Sequence, residues 1–275
     1  MKLRIVSLNC WSEGQQNKLR WPLIVQQLAA LKPDVVCLQE VFHRKKALEL
    51  KKALKSSQLH YKTNCGGLAI ISSSPKVKTG SIVLKTESAK EKESRFGYWV
   101  RLKIDRKEWD FFVTHLSWRP EDNEIRQKQI LELNDWMGQI NEGKRPCVLT
   151  GDMNAVPESG EMQFLSGDRW VYSSREGVAQ TQKLQQPFKD TYVEANFKQN
   201  GRKTAQRKKD AYTWAYKNRY TLRVDLPERR IDYIWFRAPQ QKSKYKIVSS
   251  QLCFNQPGDK GFYPSDHFGV VTDIR

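Results

Sequence analysis

Cys147-Val148-Leu149-Thr150-Gly151-Asp152-Met153-Asn154 carries a short apolar run straight into a glycine, a carboxylate and an amide. Tyr263-Pro264-Ser265-Asp266-His267-Phe268, near the C-terminus, sets a second carboxylate and an imidazole immediately before another apolar run. A fold that ends buried strands side by side aims such short-armed polar groups into one cleft, which is the layout of a hydrolytic site.

The surrounding pattern is one of alternating strands and helices. Phe111-Phe112-Val113 reads as a strand leading to Thr114-His115. Ile130, Leu133, Met137 and Ile140 mark a helix, and the strand Cys147-Val148-Leu149 returns to end at Gly151-Asp152. An earlier unit has the same plan. Lys2 to Leu8 alternates like a strand and runs into Asn9. Pro22 predicts a helix start at its first position, with Ile24, Leu28 and Leu31 at helical spacing until Pro33-Asp34 ends it. Val35-Val36-Cys37-Leu38 is then a buried strand whose first polar residues are Gln39 and Glu40. Each unit thus closes on a carboxylate. Later strands are expected at Ile231 to Phe236, Ile247 to Phe254 and Phe268 to Ile274, and Glu87 to Arg95 reads as a charged loop. The polar insertion Ser166 to Gln186 has no assignable pattern. No linker is long or biased enough to split the chain, so residues 1–275 are expected to form one α/β domain.

A length of 275 residues with 39% hydrophobic content supplies a sizeable core. No stretch has the length of a membrane span. The chain therefore reads as soluble and globular, and its strand-like N-terminus leaves no residues for a leader. If this is the native start, the expected location is cytoplasmic or otherwise intracellular, and the protein is expected to be a monomer. Five cysteines (Cys10, Cys37, Cys65, Cys147, Cys253) are scattered singly, which predicts reduced thiols filling the core.

The charge points to partners. Lysine plus arginine number 48 against 30 acids, a net +18, and such an excess attracts polyanions, whether nucleic acid or an anionic membrane surface. Arg44 to Lys55 holds six basic residues and one acid, Lys198 to Lys209 six and none, and Lys242 to Lys246 three more. Each run alone is also compatible with a solvated face. Lys198 to Lys209 leads into Tyr212-Thr213-Trp214-Ala215-Tyr216 and Tyr220, aromatics suited either to stacking on bases or to core packing.

Glu40 at a strand end is a hard oxygen ligand of the kind Mg²⁺ or Mn²⁺ accepts, and Asn9 offers an amide oxygen nearby. Asp152 and Asn154, two apart, would share one side of a continuing strand, where one orients water and the other donates to a phosphoryl oxygen; an Asp-x-Asn turn is the alternative. His267 needs a carboxylate partner to act as a proton carrier, and Arg230-Ile231-Asp232-Tyr233-Ile234 embeds one in a strand. Asp266 would face away from His267 in a strand, toward a metal. His115 is the second candidate proton carrier. His43 and His60 have no such setting and read as ordinary surface residues.

Taken in order, Leu8-Asn9-Cys10-Trp11, Leu38-Gln39-Glu40-Val41, Thr114-His115-Leu116, Gly151-Asp152-Met153-Asn154, Arg230-Ile231-Asp232-Tyr233 and Ser265-Asp266-His267 resemble the endonuclease/exonuclease/phosphatase superfamily. That group includes pancreatic-type deoxyribonucleases, exonuclease III-like repair enzymes and neutral sphingomyelinases. The resemblance spans residues 8 to 267 and implies a deoxyribonuclease I-like four-layered α/β/β/α sandwich, two mixed sheets flanked by helices, with the site at one edge. It implies Glu40 as the main Mg²⁺ (or Mn²⁺) ligand, with Asn9 beside it and Asp266 supporting the metal. Asp152 would orient the nucleophile, Asn154 would contact phosphate, and Asp232 with His267 would form the acid/base pair. His115 matches the deoxyribonuclease and sphingomyelinase branches, and Arg95 is matched to a phosphate-contacting arginine.

The implied reaction is metal-assisted in-line attack of water on a phosphoester. Gln39-Glu40-Val41-Phe42 and Asp152 to Glu158 look nearest to the sphingomyelinase side, whereas Trp11 stands where repair endonucleases keep an acid. A nuclease acting on DNA or RNA is the leading expectation because of the basic charge. A sphingomyelinase-like lipid phosphodiesterase is the alternative, and a non-catalytic nucleic-acid-binding relic the third. Substrate choice is expected in the loops Glu87 to Arg95, Ser117 to Glu124, Ser166 to Gln186 and Lys198 to Asp210.

Overall fold

Strands buried on both faces need cover on both faces, and the apolar runs of this chain find it in two stacked sheets. The structure is a computed structural model that describes residues 2–55, 58–62, 65–175, 178–182, 184, 186–199, 202–203, 211–223, 225–240 and 245–275. The first half runs β1 (Leu3–Asn9), α1 (Asn17–Leu31), β2 (Val35–Gln39), α2 (Arg44–Ala53), β3 (Gln58–Tyr61), β4 (Ala69–Ser72), β5 (Lys76–Val83), β6 (Phe96–Ile104) and β7 (Lys107–His115). There follow α3 (Asn123–Asn141), β8 (Cys147–Asp152), α4 (Gly160–Leu165), a ribbon of β9 (Val171–Arg175) and β10 (Val178–Gln182), β11 (Lys189–Asp190) and α5 (Thr191–Asn196). A short ribbon of β12 (Lys198–Gln199) and β13 (Arg202–Lys203) precedes β14 (Asp232–Arg237), β15 (Ile247–Cys253) and β16 (Gly269–Ile274).

One six-stranded sheet has the order β15-β16-β1-β2-β4-β3 and the other β11-β14-β8-β7-β6-β5. β1 and β2 pair in parallel across α1, and β7 and β8 do so across α3; the remaining pairs within the two sheets are antiparallel. Alternation along each strand divides the core. Ile5, Val35, Cys37 and Ile70 face Val100, Phe111, Val113, Val148 and Ile234 between the sheets. Val6, Leu8, Val36 and Leu38 face outward under Trp21, Ile24 and Leu28 of α1 and Ala47 and Leu50 of α2. Phe112 and Leu149 are covered by Ile130, Leu133 and Met137 of α3 and by Met162 and Phe164 of α4. The result is the expected four-layered α/β/β/α sandwich.

The first helix departs from expectation. It begins at Asn17, so Pro22 lies inside it rather than at its first position. Proline removes one helical hydrogen bond, but the turn before it buries Trp21 and fully buries Arg20, and that packing outweighs the missing donor. The helix ends where Lys32 turns left-handed (φ 48°), just before Pro33. His60 also departs: it is 6% exposed on β3, not a surface residue, whereas His43 is exposed and meets Glu13 at 2.8 Å. All five cysteines are free and buried, as expected. Part of Ser166 to Gln186 forms the β9–β10 ribbon. Of the basic runs, residues 200–201, 204–210 and 241–244 lie outside the described residues. Among the described residues, no helix is long and apolar enough to cross a membrane.

This topology carries four parallel-running strand ends to one edge. β1, β2, β7 and β8 finish there on Asn9, Gln39, His115 and Asp152, while β14 begins there with Asp232 paired to Asp152.

Candidate functional site

Gly151 makes the close approach of β7 and β8 feasible. Its φ is 151°, and a Cβ added to it would lie 2.1 Å from the Thr114 carbonyl oxygen. That contact sets His115 beside Asp152 across the parallel pair, with Nε2 3.5 Å from Asp152 Oδ2. From the opposite sheet, Asn9 Nδ2 donates to the same Oδ2 at 3.0 Å and to Glu40 Oε1 at 2.8 Å, joining the two carboxylates. The Asn9 oxygen accepts the Trp11 N–H at 3.0 Å. Trp11 and Glu40 both hold left-handed backbones (φ 45° and 55°), a conformation costly for side chains of this size and concentrated at functional sites.

The strand does not continue past Asp152. Asn154 is itself left-handed (φ 49°), its N–H donates to Asp152 Oδ1 at 3.0 Å, and Met153 is buried in the core. Asp152 and Asn154 share the cleft through a turn, not through strand alternation; Asn154 Nδ2 is steadied by the Leu116 carbonyl at 3.1 Å.

His267 and Asp266 arrive on a loop before β16, not in a strand. His267 Nδ1 lies 2.9 Å from Asp232 Oδ2, and its Nε2 lies 3.6 Å from Asp152 Oδ2. Ser265, two residues back, ties this loop to β1 by donating to the Asn9 carbonyl at 2.7 Å. Asn218 Nδ2 donates to the Ser265 and Asp266 carbonyls, and the Thr213 hydroxyl accepts the N–H groups of Ile231 and Asp232. Trp214 packs edge-on to the His267 ring with centroids 5.0 Å apart. Fully buried Arg20 donates to the carbonyls of Trp11, Gln15 and Pro264 at 2.7–2.8 Å. Sequence reasoning missed these supports, although Thr213-Trp214 and Ser265 belong to strings it singled out; Arg20 carries no signal.

Glu40, Arg95, His115, Asp152, Asn154, Asp266 and His267 line one cavity of about 330 Å³, with Asn9 and Asp232 one layer behind. Trp11, Phe42, Trp118 and Trp214 form its aromatic walls, and Arg229 adds a second guanidinium. Phe42 and Trp118 are 37% and 46% exposed at the rim. Arg95 donates from Nε and Nη2 to Glu91 Oε2 at 2.9 and 2.7 Å. Of the loops expected around the cleft, Glu87 to Arg95 and Ser117 to Glu124 contribute to it through Glu93, Arg95 and Trp118.

The electrostatics separate the two imidazoles. Burial pushes His115 down to about 3, with Asp152 only partly offsetting it, so it is a neutral hydrogen-bonding group. Burial also disfavours the His267 cation, but Asp232, Asp152 and Asp266 together outweigh it and raise the imidazole well above its usual value. Glu40 is pushed up to about 7 by burial and by Asp266, with Asp152 adding to the rise. Asp266 is raised as well, chiefly by burial. Glu40 and Asp266 thus bring two buried acids to one cavity, with Glu40 raised further by its acidic neighbours, and an all-oxygen set of that kind fits a hard divalent cation. Asp152, Asp232 and His267 also bring ligand atoms within 4.8 Å of one another, but Nδ1 of His267 is engaged by Asp232, which marks this trio as a hydrogen-bonded set. Asp232 Oδ1 is buried with no partner among the described residues.

The sequence pattern of the endonuclease/exonuclease/phosphatase family matches residues 6–267. Protein angel of Drosophila melanogaster is 27% identical over 175 residues, 57% of this chain, and the match spans 47% of that protein's length. Among solved structures, zebrafish (D. rerio) TDP2 complexed with a single-strand DNA product superposes with a TM-score of 0.76 at 19% identity, covering 100% of this chain and 99% of that one. Truncated Caenorhabditis elegans TDP2 gives 0.74 at 19% identity, covering 100% and 98%. A mannosyl-6-phosphatase of Bacteroides thetaiotaomicron gives 0.70 at 18% identity, covering 99% of each chain. At these identities the structural likenesses speak for the fold.

Proposed function

The chain belongs to the endonuclease/exonuclease/phosphatase family of phosphoester hydrolases, and from that premise we propose that it is a divalent-metal-dependent phosphodiesterase acting on nucleic acid. The supporting observation is the pairing of an acid and imidazole floor with aromatic walls in one cavity. Stacking of a base on an aromatic ring contributes about 1–3 kcal/mol and tolerates any base. Aromatic walls also suit a choline headgroup, which keeps a lipid phosphodiester as the second reading, while Arg95 and Arg229 in the same cleft suit phosphate. The net charge of +18 favours a polyanion, and the zebrafish TDP2 structure of like fold holds single-strand DNA.

Glu40 and Asp266 would hold Mg²⁺ or Mn²⁺, which as a Lewis acid would stabilise charge on the phosphoryl oxygens. Asp152 accepts the proton of the attacking water at Oδ2, the oxygen that Asn9 orients. His267, kept cationic by Asp232, stabilises the developing charge and is placed to supply a proton to the leaving oxygen. His115, neutral, contributes an N–H without exchanging a proton. Asn154 Nδ2 has a second hydrogen left for a phosphoryl oxygen, and Arg95 Nη1 has no partner among the described residues.

Purified protein offered single-stranded DNA, RNA and sphingomyelin vesicles with Mg²⁺ or Mn²⁺ is expected to cleave nucleic acid, with turnover abolished by chelator and by Asp152→Asn. Phosphocholine release without nucleic-acid cleavage would move the substrate to lipid. Salt-sensitive binding with no turnover under either metal would make the protein a binding module.

A further inference from the structure

β3 ends one sheet and β5 ends the other, and between these two edges lies a slot of two adjoining cavities, about 300 and 370 Å³, that share Leu59, His60, Tyr61 and Lys76. Arg44 and Lys51 of α2 line one part and Lys62 the other, and Lys62 Nζ bridges the edges by donating to Ser81 Oγ at 2.6 Å. No carboxylate lines either cavity. Among the described residues none of the four basic side chains has an acidic partner. His60 lines both cavities, is 6% exposed, and its buried Nε2 has no hydrogen-bond partner among the described residues. A buried polar atom left unpaired is destabilising, and where it persists a ligand is the first explanation to test.

A single hydrogen bond links the slot to the wall of the catalytic cleft. Phe42 lines the cleft, and its carbonyl accepts the Tyr61 hydroxyl at 2.7 Å. We propose that the slot is a second phosphate-binding site, in which Arg44, Lys51, Lys62, Lys76 and His60 hold the backbone of the nucleic-acid strand leaving the cleft past Phe42. The proposal rests on the nucleic-acid reading of the cleft. Burial and Lys76 together hold the free imidazole down at about 4, so it is neutral until an anion shares the slot. Four such contacts on a single strand change the slope of log affinity against log salt by about 3.

The test is fluorescence anisotropy of labelled oligothymidylates, a 20-mer and a 5-mer, in chelator so that nothing is cleaved. A variant with Arg44, Lys51, Lys62 and Lys76 all changed to Gln is compared with a charge-matched control changed at exposed Lys18, Lys32, Lys189 and Lys260. The expected result is at least tenfold weaker binding of the 20-mer by the slot variant, a salt slope shallower by about 3, and little change with the 5-mer. Equal losses in slot variant and control, or an equal loss on both lengths, would overturn the slot. In histidine-¹⁵N-labelled wild-type protein the 20-mer is expected to shift the His60 Nε2 resonance; an unmoved resonance at saturation also overturns it. Failure of the nucleic-acid reading looks different, because wild-type protein would then bind neither length.

Discussion

In the proposed reaction His267 and Asp232 act as a pair, the ring toward the substrate and the carboxylate, 2.9 Å behind it, holding the ring and favouring its charge. Asp232→Asn can still hydrogen-bond Nδ1 but removes the charge. We expect kcat to fall by about 10²–10⁴-fold while the thermal midpoint stays near wild type, and undiminished kcat would exclude the pair from the chemistry. Gly151→Ala tests placement instead of chemistry. The added methyl meets the Thr114 carbonyl at 2.1 Å, so the β7–β8 pair must part, with a loss of about 1–3 kcal/mol in urea denaturation. Gly151, Asp152 and Asn154 were legible as a set because their types and spacing carry the chemistry. Their conformations were not, since the left-handed turn at Asn154 and the orientation of the buried Asn9 amide depend on partners distant in sequence, Leu116 and Glu40 among them.

At the level of elements, α3 and α4 are joined by a buried ion pair that also shapes the cleft wall. Arg126 donates to Glu161 at 3.0 Å and to the carbonyls of Ser117 and Arg119, the segment that displays Trp118. Arg126→Met leaves Glu161 uncompensated at 0% exposure, and we expect a loss of about 3–5 kcal/mol by chemical denaturation. β3 supplies a pH-dependent element. His60 titrates near 6.5 when unfolded, but burial and Lys76 depress it to about 4 in the fold. Between those values the unfolded chain binds the extra proton. Stability from this group is therefore intact above pH 6.5 and falls as the pH drops toward 4, by about 1–2 kcal/mol once solvent screening is allowed for. His60→Gln should flatten that limb of the stability profile; an unchanged limb would assign acid sensitivity elsewhere. The strands and α3 were readable from their periodicity. The start of α1 was not, because a proline reads locally as a boundary, while the reason the helix accepts it is the packing of Trp21 and Arg20 against distant segments.

On the scale of the whole molecule, the net charge of +18 acts as a field. Binding of single-stranded nucleic acid is expected to weaken steeply with salt, each neutralised phosphate adding about 0.7 to the log–log slope, as titrations at about 50 and 200 mM salt would read. A flat response would deny the charge any part in recognition. Composition, strand periodicity and six ordered motifs determined the layered α/β fold, the phosphoester-hydrolase family and the polar residue types of the cleft, because those signals are local and survive in a linear string. Only the tertiary structure decided which residues meet. The antiparallel return of β14 sets Asp232 opposite Asp152, Arg20 reaches 244 residues along the chain to the Pro264 carbonyl, and β3 and β5 leave their edges open around His60. The physical reason is that contact across the sandwich depends on sheet order and register, which no stretch of sequence encodes by itself.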